Sequence, residues 1–318
     1  MVRRILPILL SFVLYQSVES AKCDQYYFYW DRHSVSIIDK DTGQLQGIFA
    51  DSVFIIDNGF GRNINSSCTG RYISITCLRS PEVKMEKGLP VPHRQVAVIV
   101  DLMDQDKWIM EDVEKVSWAP HSDLFVCIGG PSLNLLDYYY SDKAWLVNPG
   151  TKAVSILFPN QAAFDDINWS AHNSRIYSCR SGVLEYNSEN GTIRHTGLKR
   201  CNISPDGDYY MDDTEEDEEA CLYRTATNSE VEIEVPDNDA FSFGRLFSHF
   251  AWQMDESRTL AYVMDYPDFY CIDCATGKMY KVIPPSPDIH PIKNLVGFRQ
   301  GRPVWAKITG DKAELFYY

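Results

Sequence analysis

The feature that most constrains the fold of this chain is a segment that recurs six times along it. Each copy contains a short apolar strand, a turn rich in Pro, Asp, Gly and Ser, and a second strand in which apolar and polar residues alternate. The copies begin at Ile64, Val116, Ile167, Cys201, Phe250 and Val296, which gives spacings of 52, 51, 34, 49 and 46 residues. Self-similarity at this period is typical of propellers and solenoids, in which each repeat buries its apolar faces against its neighbours.

A second hairpin follows the first within the repeat. It is clearest in residues 144–154, 183–193 and 269–279, and helical periodicity is scarce throughout the chain. Four antiparallel strands per unit make a propeller blade, so we expect an all-β fold, a single closed β-propeller of four-stranded blades. Residues 26–49 supply the last three strands of one blade, and residues 296–318 supply about three strands of another. Seven blades fit this count best; six blades, closed by mixing both ends of the chain, are the alternative.

The repeat resembles the WD-like propeller repeats of TolB and of the propeller domains of prolyl-oligopeptidase-type enzymes. Their signature is an apolar residue followed by Trp-Ser-Pro-Asp-Gly and a hydrophobic strand. The copies that carry the likeness are Trp118-Ala-Pro-His, Trp169-Ser-Ala-His, Ser204-Pro-Asp-Gly and Trp252-Gln-Met-Asp. The resemblance implies a propeller fold, with the tryptophans as core residues between blades. It implies little about function, because propellers host unrelated activities.

The amino-terminal residues have the pattern of a secretory signal. Arg3 and Arg4 precede an apolar run over residues 5–15, and small residues near Ser20 supply a cleavage site. We therefore expect a signal peptide at 1–20, a propeller domain at 21–318, and a secreted, extracellular protein. The apolar run is shorter than the ~20 residues that cross a bilayer, and no later segment approaches that length, so no membrane span is expected.

The charge balance narrows the class of partner. The chain has 44 acidic and 30 basic side chains and a formal net charge of -14. Nucleic acid is a poor partner for such a protein, because affinity for a phosphate backbone comes from neutralising lysines and arginines.

All nine cysteines lie beyond the predicted signal peptide, in a chain destined for an oxidising compartment. We therefore predict at least two disulfides, with Cys68–Cys77 as the pair that a turn between two strands could bring together. The odd count leaves at least one thiol free or paired between chains. Cys271 and Cys274 form a C-x-x-C motif that would suit zinc or redox chemistry. Residues three apart on a strand point to opposite faces, however, so we interpret this pair as structural.

The sequence contains no local catalytic signature. The G-x-S-x-G, H-E-x-x-H, P-loop, G-x-G-x-x-G and EF-hand patterns are all absent. In the peptidases that the repeat resembles, the catalytic serine lies on a separate domain, and the blades use up this chain. A propeller hydrolase of the lactonase type needs no local motif, because its metal ligands converge in the central channel. The seven histidines are scattered, and the equivalent positions of His121 and His172 reflect the repeat.

The sharpest compositional feature is a run of seven acids in eight residues, from Asp212 to Glu219. Such a run is typical of a solvated, self-repelling loop. It connects the second and third strands of its blade, and these connections share a face with the links between blades, where propeller ligands often bind. A strong negative potential there would attract a basic protein surface or a cation, and calcium would suit the oxygen ligands. The candidate binding residues are Asp212, Asp213, Glu215, Glu216, Asp217, Glu218 and Glu219.

Four N-x-S/T sequons occur, at Asn65, Asn168, Asn190 and Asn202. Three of them fall on the first strands of repeats, where the centre of a propeller is crowded. Asn190 lies at a hairpin tip, so it is the expected glycosylation site.

These observations support two functions of different classes. The sequence favours a secreted, non-enzymatic propeller that binds a protein or glycan partner through an acidic face, with no bound cofactor unless calcium occupies that face. The alternative is a secreted, metal-dependent propeller hydrolase with its site in the central channel.

Overall fold

The computed structural model describes a set of ranges that covers most of the chain beyond residue 25. The ranges are 26–56, 63–79, 85–86, 89–90, 95–130, 141–160, 164, 166–170, 174–179, 182–198, 202–204, 206–213, 220–236, 250–255, 258–265 and 268–318. The expected signal peptide at 1–20 lies outside these residues.

The regular elements of the described residues are β-strands, as the repeat predicts. The strands are β1 (Tyr26–Trp30), β2 (Ser34–Asp39), β3 (Leu45–Ala50), β4 (Phe54–Ile55), β5 (Ile64–Ser66), β6 (Tyr72–Arg79), β7 (Met85–Glu86), β8 (Leu89–Pro90), β9 (Gln95–Asp101), β10 (Asp106–Glu111), β11 (Val113–Trp118), β12 (Phe125–Gly129), β13 (Lys143–Asn148), β14 (Ala153–Leu157), β15 (Asp166–Trp169), β16 (Arg175–Cys179), β17 (Val183–Asn187), β18 (Ile193–His195), β19 (Tyr209–Asp213), β20 (Ala220–Arg224), β21 (Ser229–Val231), β22 (Phe250–Asp255), β23 (Arg258–Asp265), β24 (Asp268–Asp273), β25 (Met279–Lys281), β26 (Leu295–Arg299), β27 (Arg302–Thr309) and β28 (Lys312–Tyr317). No helix among the described residues is long and apolar enough to cross a bilayer.

The strands form seven antiparallel blades, so the chain is a seven-bladed β-propeller, and the six-bladed alternative is wrong. In chain order the blades are β1–β3, β4–β10 without the separate β7–β8 hairpin, β11–β14, β15–β18, β19–β21, β22–β25 and β26–β28. They are numbered one to seven below. In blade five, Ile203 adds a single bridge to Tyr210 at the position of a first strand. Blades one and seven each contain three strands among the described residues, and together they hold both ends of the described chain.

The repeated turn between first and second strands has the same hydrogen bonding in several blades. The N–H of Ser67 donates to the carbonyl of Tyr72, and the N–H of Ser204 donates to that of Tyr209, both at 2.8 Å. In both turns the serine Oγ also accepts the N–H of that tyrosine, at 3.2 and 2.9 Å. The recurring sequence therefore encodes one local structure, which we call the signature turn.

The second hairpin of the repeat also has a constant geometry. In six blades, the fourth residue after the end of the hairpin's first strand has a positive φ. These residues are Gly43, Gln105, Lys152, Gly191, Asn228 and Gly277. In five of these six hairpins, the last residue of the first strand is Asp or Asn, and its side chain accepts backbone N–H groups of the turn. The β2–β3 hairpin shares this geometry with the outer hairpins of other blades. Strands β1–β3 therefore correspond to the last three strands of a blade, as predicted.

The core is divided among the interfaces between blades. Seven clusters of buried residues lie between successive blades, and the cluster that includes Tyr27, Ile38 and Val304 joins blade one to blade seven. Trp118, Trp169 and Trp252 pack against clusters shared with the preceding blade, which confirms their predicted role in the core. Because every blade is buried on both faces, the ring is a single packed unit.

The predicted disulfides are wrong for the described cysteines. None of the six described thiols is in a disulfide; they are Cys68, Cys77, Cys127, Cys221, Cys271 and Cys274. The other three of the nine cysteines could form at most one disulfide among themselves, fewer than the two predicted. Cys68 lies in a signature turn, whereas Cys77 lies five residues into β6, about 16 Å beyond its start at Tyr72. After the turn that contains Cys68, the extended strand β6 carries Cys77 away from it.

The C-x-x-C pair is structural, as interpreted from the sequence. Cys271 packs in the cluster between blades six and seven, and Cys274 packs in the cluster between blades five and six. They therefore lie on opposite faces of blade six. Burial raises the pKa of Cys271 to about 11, and it also raises that of Cys274, so neither thiol is activated as a nucleophile.

Candidate functional site

The first candidate site is the end of blade five that carries the acidic run. Asp212 and Asp213 are the last two residues of β19, and Asp213 pairs with Ala220, the first residue of β20. Glu215, Glu216, Asp217, Glu218 and Glu219 lie outside the described residues. Because Ile203 occupies the position of the first strand, β19 and β20 are the second and third strands of the blade. Asp213 and Ala220, the residues on either side of 214–219, therefore lie at the edge of the blade opposite the signature turns, which we call the connection face.

Several other acids at the connection face are held in ion pairs. Asp166 at the start of β15 pairs with Lys115 of the preceding blade. Asp268 at the start of β24 pairs with Lys281 at 2.6 Å, and Glu111 at the end of β10 pairs with Arg79 at 2.8 Å. Each of these pairs cancels one negative charge. Summing the acidic residues from the sequence therefore overestimates the field of this face.

The predicted glycosylation residue lies where the sequence places it. Asn190 is exposed at the tip of the β17–β18 hairpin, and its Oδ1 accepts hydrogen bonds from the N–H and the Oγ1 of Thr192 at 3.0 and 2.7 Å. Asn65 and Asn168 lie within the innermost strands β5 and β15, and both are partly buried. A glycan therefore has open access to Asn190 alone among these three.

The alternative function needs a metal centre, in which at least three ligand side chains converge. No group of three or more His, Cys, Asp or Glu side chains converges as a metal site within the described ranges. His121 is exposed at its signature turn, and His172 lies outside the described residues. The predicted equivalence of these two histidines therefore brings no second ligand to His121 in the part of the chain that is described.

A second candidate site was not predicted from the sequence. A cavity of about 550 Å3 lies between blades six and seven, beside their signature turns. Its polar wall carries Asp255, Arg299 and Arg302. The arginines flank a turn in the most degenerate copy of the repeat, so the sequence signal available was the Arg-Gln-Gly-Arg segment at 299–302 in place of the usual turn. This segment forms a cavity only together with Asp255, which belongs to the previous blade.

Comparison with known proteins identifies the fold. No protein-family model matches the chain, and no curated protein matches it. Solved structures do match. Dihydro-heme d1 dehydrogenase NirN is 11% identical, with a TM-score of 0.51, over 92% of this chain and 58% of its own. The acylaminoacyl peptidase of Pyrococcus horikoshii is 12% identical, with a TM-score of 0.52, over 92% of this chain and 51% of its own.

TolB from Acinetobacter baumannii is also similar, at 14% identity and a TM-score of 0.39, over 81% of this chain and 65% of its own. The chain thus spans about half to two thirds of the length of these proteins. At such low identity the likeness concerns the fold alone, which is the β-propeller that the repeat predicted. The structures that match include TolB and an acylaminoacyl peptidase.

Proposed function

We propose that this chain is a secreted, non-enzymatic β-propeller that binds a protein with a basic surface through the acidic run of blade five. The observation that carries the proposal is the pairing of Asp213 with Ala220. The pairing supports the proposal because Asp213 and Ala220, which flank residues 214–219, lie at the connection face. On the neighbouring blades, the acids Asp166 and Asp268 already have cationic partners.

Electrostatics explains why a basic surface is the expected partner. The run contributes seven negative charges over eight residues to a chain whose formal net charge is -14. Opposite charges steer two proteins together before contact, so such a surface raises the association rate more than it lowers the dissociation rate. Salt weakens this effect because the Debye length falls from ~10 Å at 0.1 M to ~3 Å at 1 M.

The test compares retention of secreted proteins by the immobilised full chain with retention by a neutralised variant. In the variant, amides replace Asp212, Asp213, Glu215, Glu216, Asp217, Glu218 and Glu219. A matched control replaces seven exposed acids elsewhere, namely Asp41, Glu189, Glu230, Glu232, Glu234, Asp311 and Glu314. The proposal expects that the wild type and the control retain a basic protein and that the neutralised variant does not. Rising salt should elute this protein from the wild type.

A partner that the neutralised variant retains would contradict the proposal, and so would one whose retention is indifferent to salt. Retention that depends on added calcium, and disappears with a chelator, would assign the run to a cation instead. Intact-mass measurement of the secreted protein tests the export step, since it expects removal of residues 1–20.

A further inference from the structure

The cavity between blades six and seven has the dimensions of a small-molecule site. Its volume is about 550 Å3, within the roughly 300–1,000 Å3 of typical ligand pockets. Besides Asp255, Arg299 and Arg302, it is lined by Gln300, Pro303, Val304, Tyr317 and Tyr318. One wall is therefore cationic and another is apolar and aromatic.

Among the side chains that line this cavity, two are arginines and one is a carboxylate. Asp255 is buried, with 6% exposure, and its Oδ2 accepts a hydrogen bond from Arg258. The Nη2 of Arg302 lies 3.8 Å from the same oxygen, which is beyond hydrogen-bond distance. Arg258 therefore satisfies Asp255, while Arg302, with 56% of its side chain exposed, keeps N–H donors for another acceptor.

The turn that presents the arginines is held against the neighbouring blade. Gly301 has a φ of 76°, and a Cβ at this position would lie 2.4 Å from the carbonyl oxygen of Met254. The backbone of the turn thus packs directly on the strand that ends at Asp255. A site built on such a contact is preorganised, so less ordering entropy is lost when a ligand binds.

The aromatic wall is positioned by Arg299 and by the core. The guanidinium carbon of Arg299 lies 5.4 Å from the centre of the Tyr317 ring. The Tyr318 ring packs edge-on against the buried Trp305 at 6.4 Å, and its N–H donates to the carbonyl of Pro303 at 3.3 Å. A guanidinium stacked on a ring still presents its N–H groups at its edge, where a planar anion can accept them.

We propose that this cavity binds a small organic carboxylate, with the carboxylate on Arg299 and Arg302 and the apolar or aromatic body against Tyr317 and Tyr318. Guanidinium groups match the two oxygens of a carboxylate in a forked geometry. The cavity lies beside the signature turns, at the ends of the blades opposite the connection face. It is therefore a separate site from the acidic run, and neither site depends on the other.

The test uses three probe compounds on the full chain: phenylacetate, acetate and 2-phenylethanol. Phenylacetate has both the charge and the ring, and each of the others lacks one of them. The proposal expects measurable binding of phenylacetate by calorimetry or ligand-observed NMR, and at least about tenfold weaker binding of the other two. If acetate binds as tightly as phenylacetate, the site recognises charge alone. If 2-phenylethanol binds as tightly, the site is an apolar cleft without carboxylate recognition. Either result would overturn the proposal.

Variants then locate the binding. Arg299→Gln and Arg302→Gln are each expected to weaken phenylacetate binding about tenfold or more, because each removes a charge-assisted hydrogen bond. Arg299→Lys should recover part of the loss, since it restores charge without the fork. Arg79→Gln is the matched control, because it neutralises an arginine of blade two that pairs at the surface with Glu111 of the same blade. Unchanged binding in both cavity variants, at an unchanged unfolding midpoint, would refute the assignment.

Discussion

The backbone N–H of Ala313 donates a hydrogen bond of 2.8 Å to the carbonyl of Gly43, and this contact joins the last strand of the ring to its first blade. The N–H of Leu45 donates to the carbonyl of Asp311 at 2.9 Å beside it. The ring thus closes through main-chain bonds at its rim as well as through the buried cluster between blades one and seven. Closure removes most open sheet edges, which would otherwise favour association with other chains.

Replacing Gly43 with alanine should weaken this closure. Gly43 has a φ of 67°, and an added Cβ would lie 2.6 Å from the carbonyl oxygen of Ala313. The left-handed conformation alone costs about 1–2 kcal/mol for a residue with a side chain, and the clash adds to it. We expect a lower urea unfolding midpoint for Gly43→Ala than for Gly191→Ala, which has a φ of 72° and no atom closer than 4.0 Å.

Gly47→Ala is the neutral control for that series. Nothing lies within 4 Å of the Cβ position at Gly47, which is in strand β3. A Gly43→Ala variant as stable as Gly47→Ala would show that the contact with Ala313 does not hold the ring closed.

Removing the carboxylate of Asp123 should loosen the interface between blades two and three. Its two oxygens accept the hydroxyl of Thr69 at 2.7 and 2.9 Å, so one signature turn is tied to the next. We expect Asp123→Ala to lower the free energy of unfolding by about 1–2 kcal/mol, and Asp123→Asn to lower it less because one acceptor remains. Hydrogen exchange of the Ser67–Tyr72 turn should rise in the alanine variant. Equal stability of the two variants would argue against a role for this bond.

Glu185 should make stability depend on pH. It is 5% exposed, and it accepts hydrogen bonds from Arg194 at 2.7 and 2.9 Å and from Arg175 at 3.2 Å. Burial raises its pKa, but the two arginines outweigh burial and hold the pKa below its usual value. Because the pKa of Glu185 is lower in the folded state than the unfolded-state pKa of about 4.3, its ionised carboxylate stabilises the fold at pH values above about 4.3. This stabilisation is lost as the pH falls through the folded-state pKa.

Glu185→Gln should therefore be less stable than the wild type at pH 7, by about 1–3 kcal/mol, and the difference should shrink in acid. Urea denaturation at pH 7 and pH 3 measures it. The exposed Glu230→Gln serves as the control and should track the wild type at both pH values. A difference that persists undiminished at pH 3 would mean that the charge of Glu185 is not what stabilises this cluster.

The thiols should react in two groups. Cys68 and Cys221 are partly exposed, whereas Cys77, Cys127, Cys271 and Cys274 are buried. Burial raises the pKa of Cys77 to about 12 and likewise raises the pKa of Cys127. We expect native alkylation to label Cys68 and Cys221 first, and the four buried thiols only after unfolding. Peptide mapping that finds any of these six cysteines in a disulfide would contradict their assignment as unbridged.

Local sequence was sufficient to predict the repeat structure. The Ser-x-x-Gly turns at 67–70 and 204–207, and the Asp or Asn that begins most outer hairpins, act over four to six residues. A resemblance between copies therefore predicts the same strands and turns in each. The position of the acidic run between second and third strands follows from this same counting.

The tertiary structure decided the contacts between residues that are distant in sequence. The number of blades depends on whether the strands at the two ends of the chain form one blade or two. Blades one and seven are separate, and the contact between them joins Gly43 to Ala313, which are far apart in sequence. Cys68 and Cys77 are close in sequence, but the extended strand β6 carries the second away from the first. The cavity places Arg299 and Arg302 beside Asp255, which belongs to another repeat. Local patterns encode turns and strand faces, but which side chains meet across an interface depends on how the blades pack around the ring.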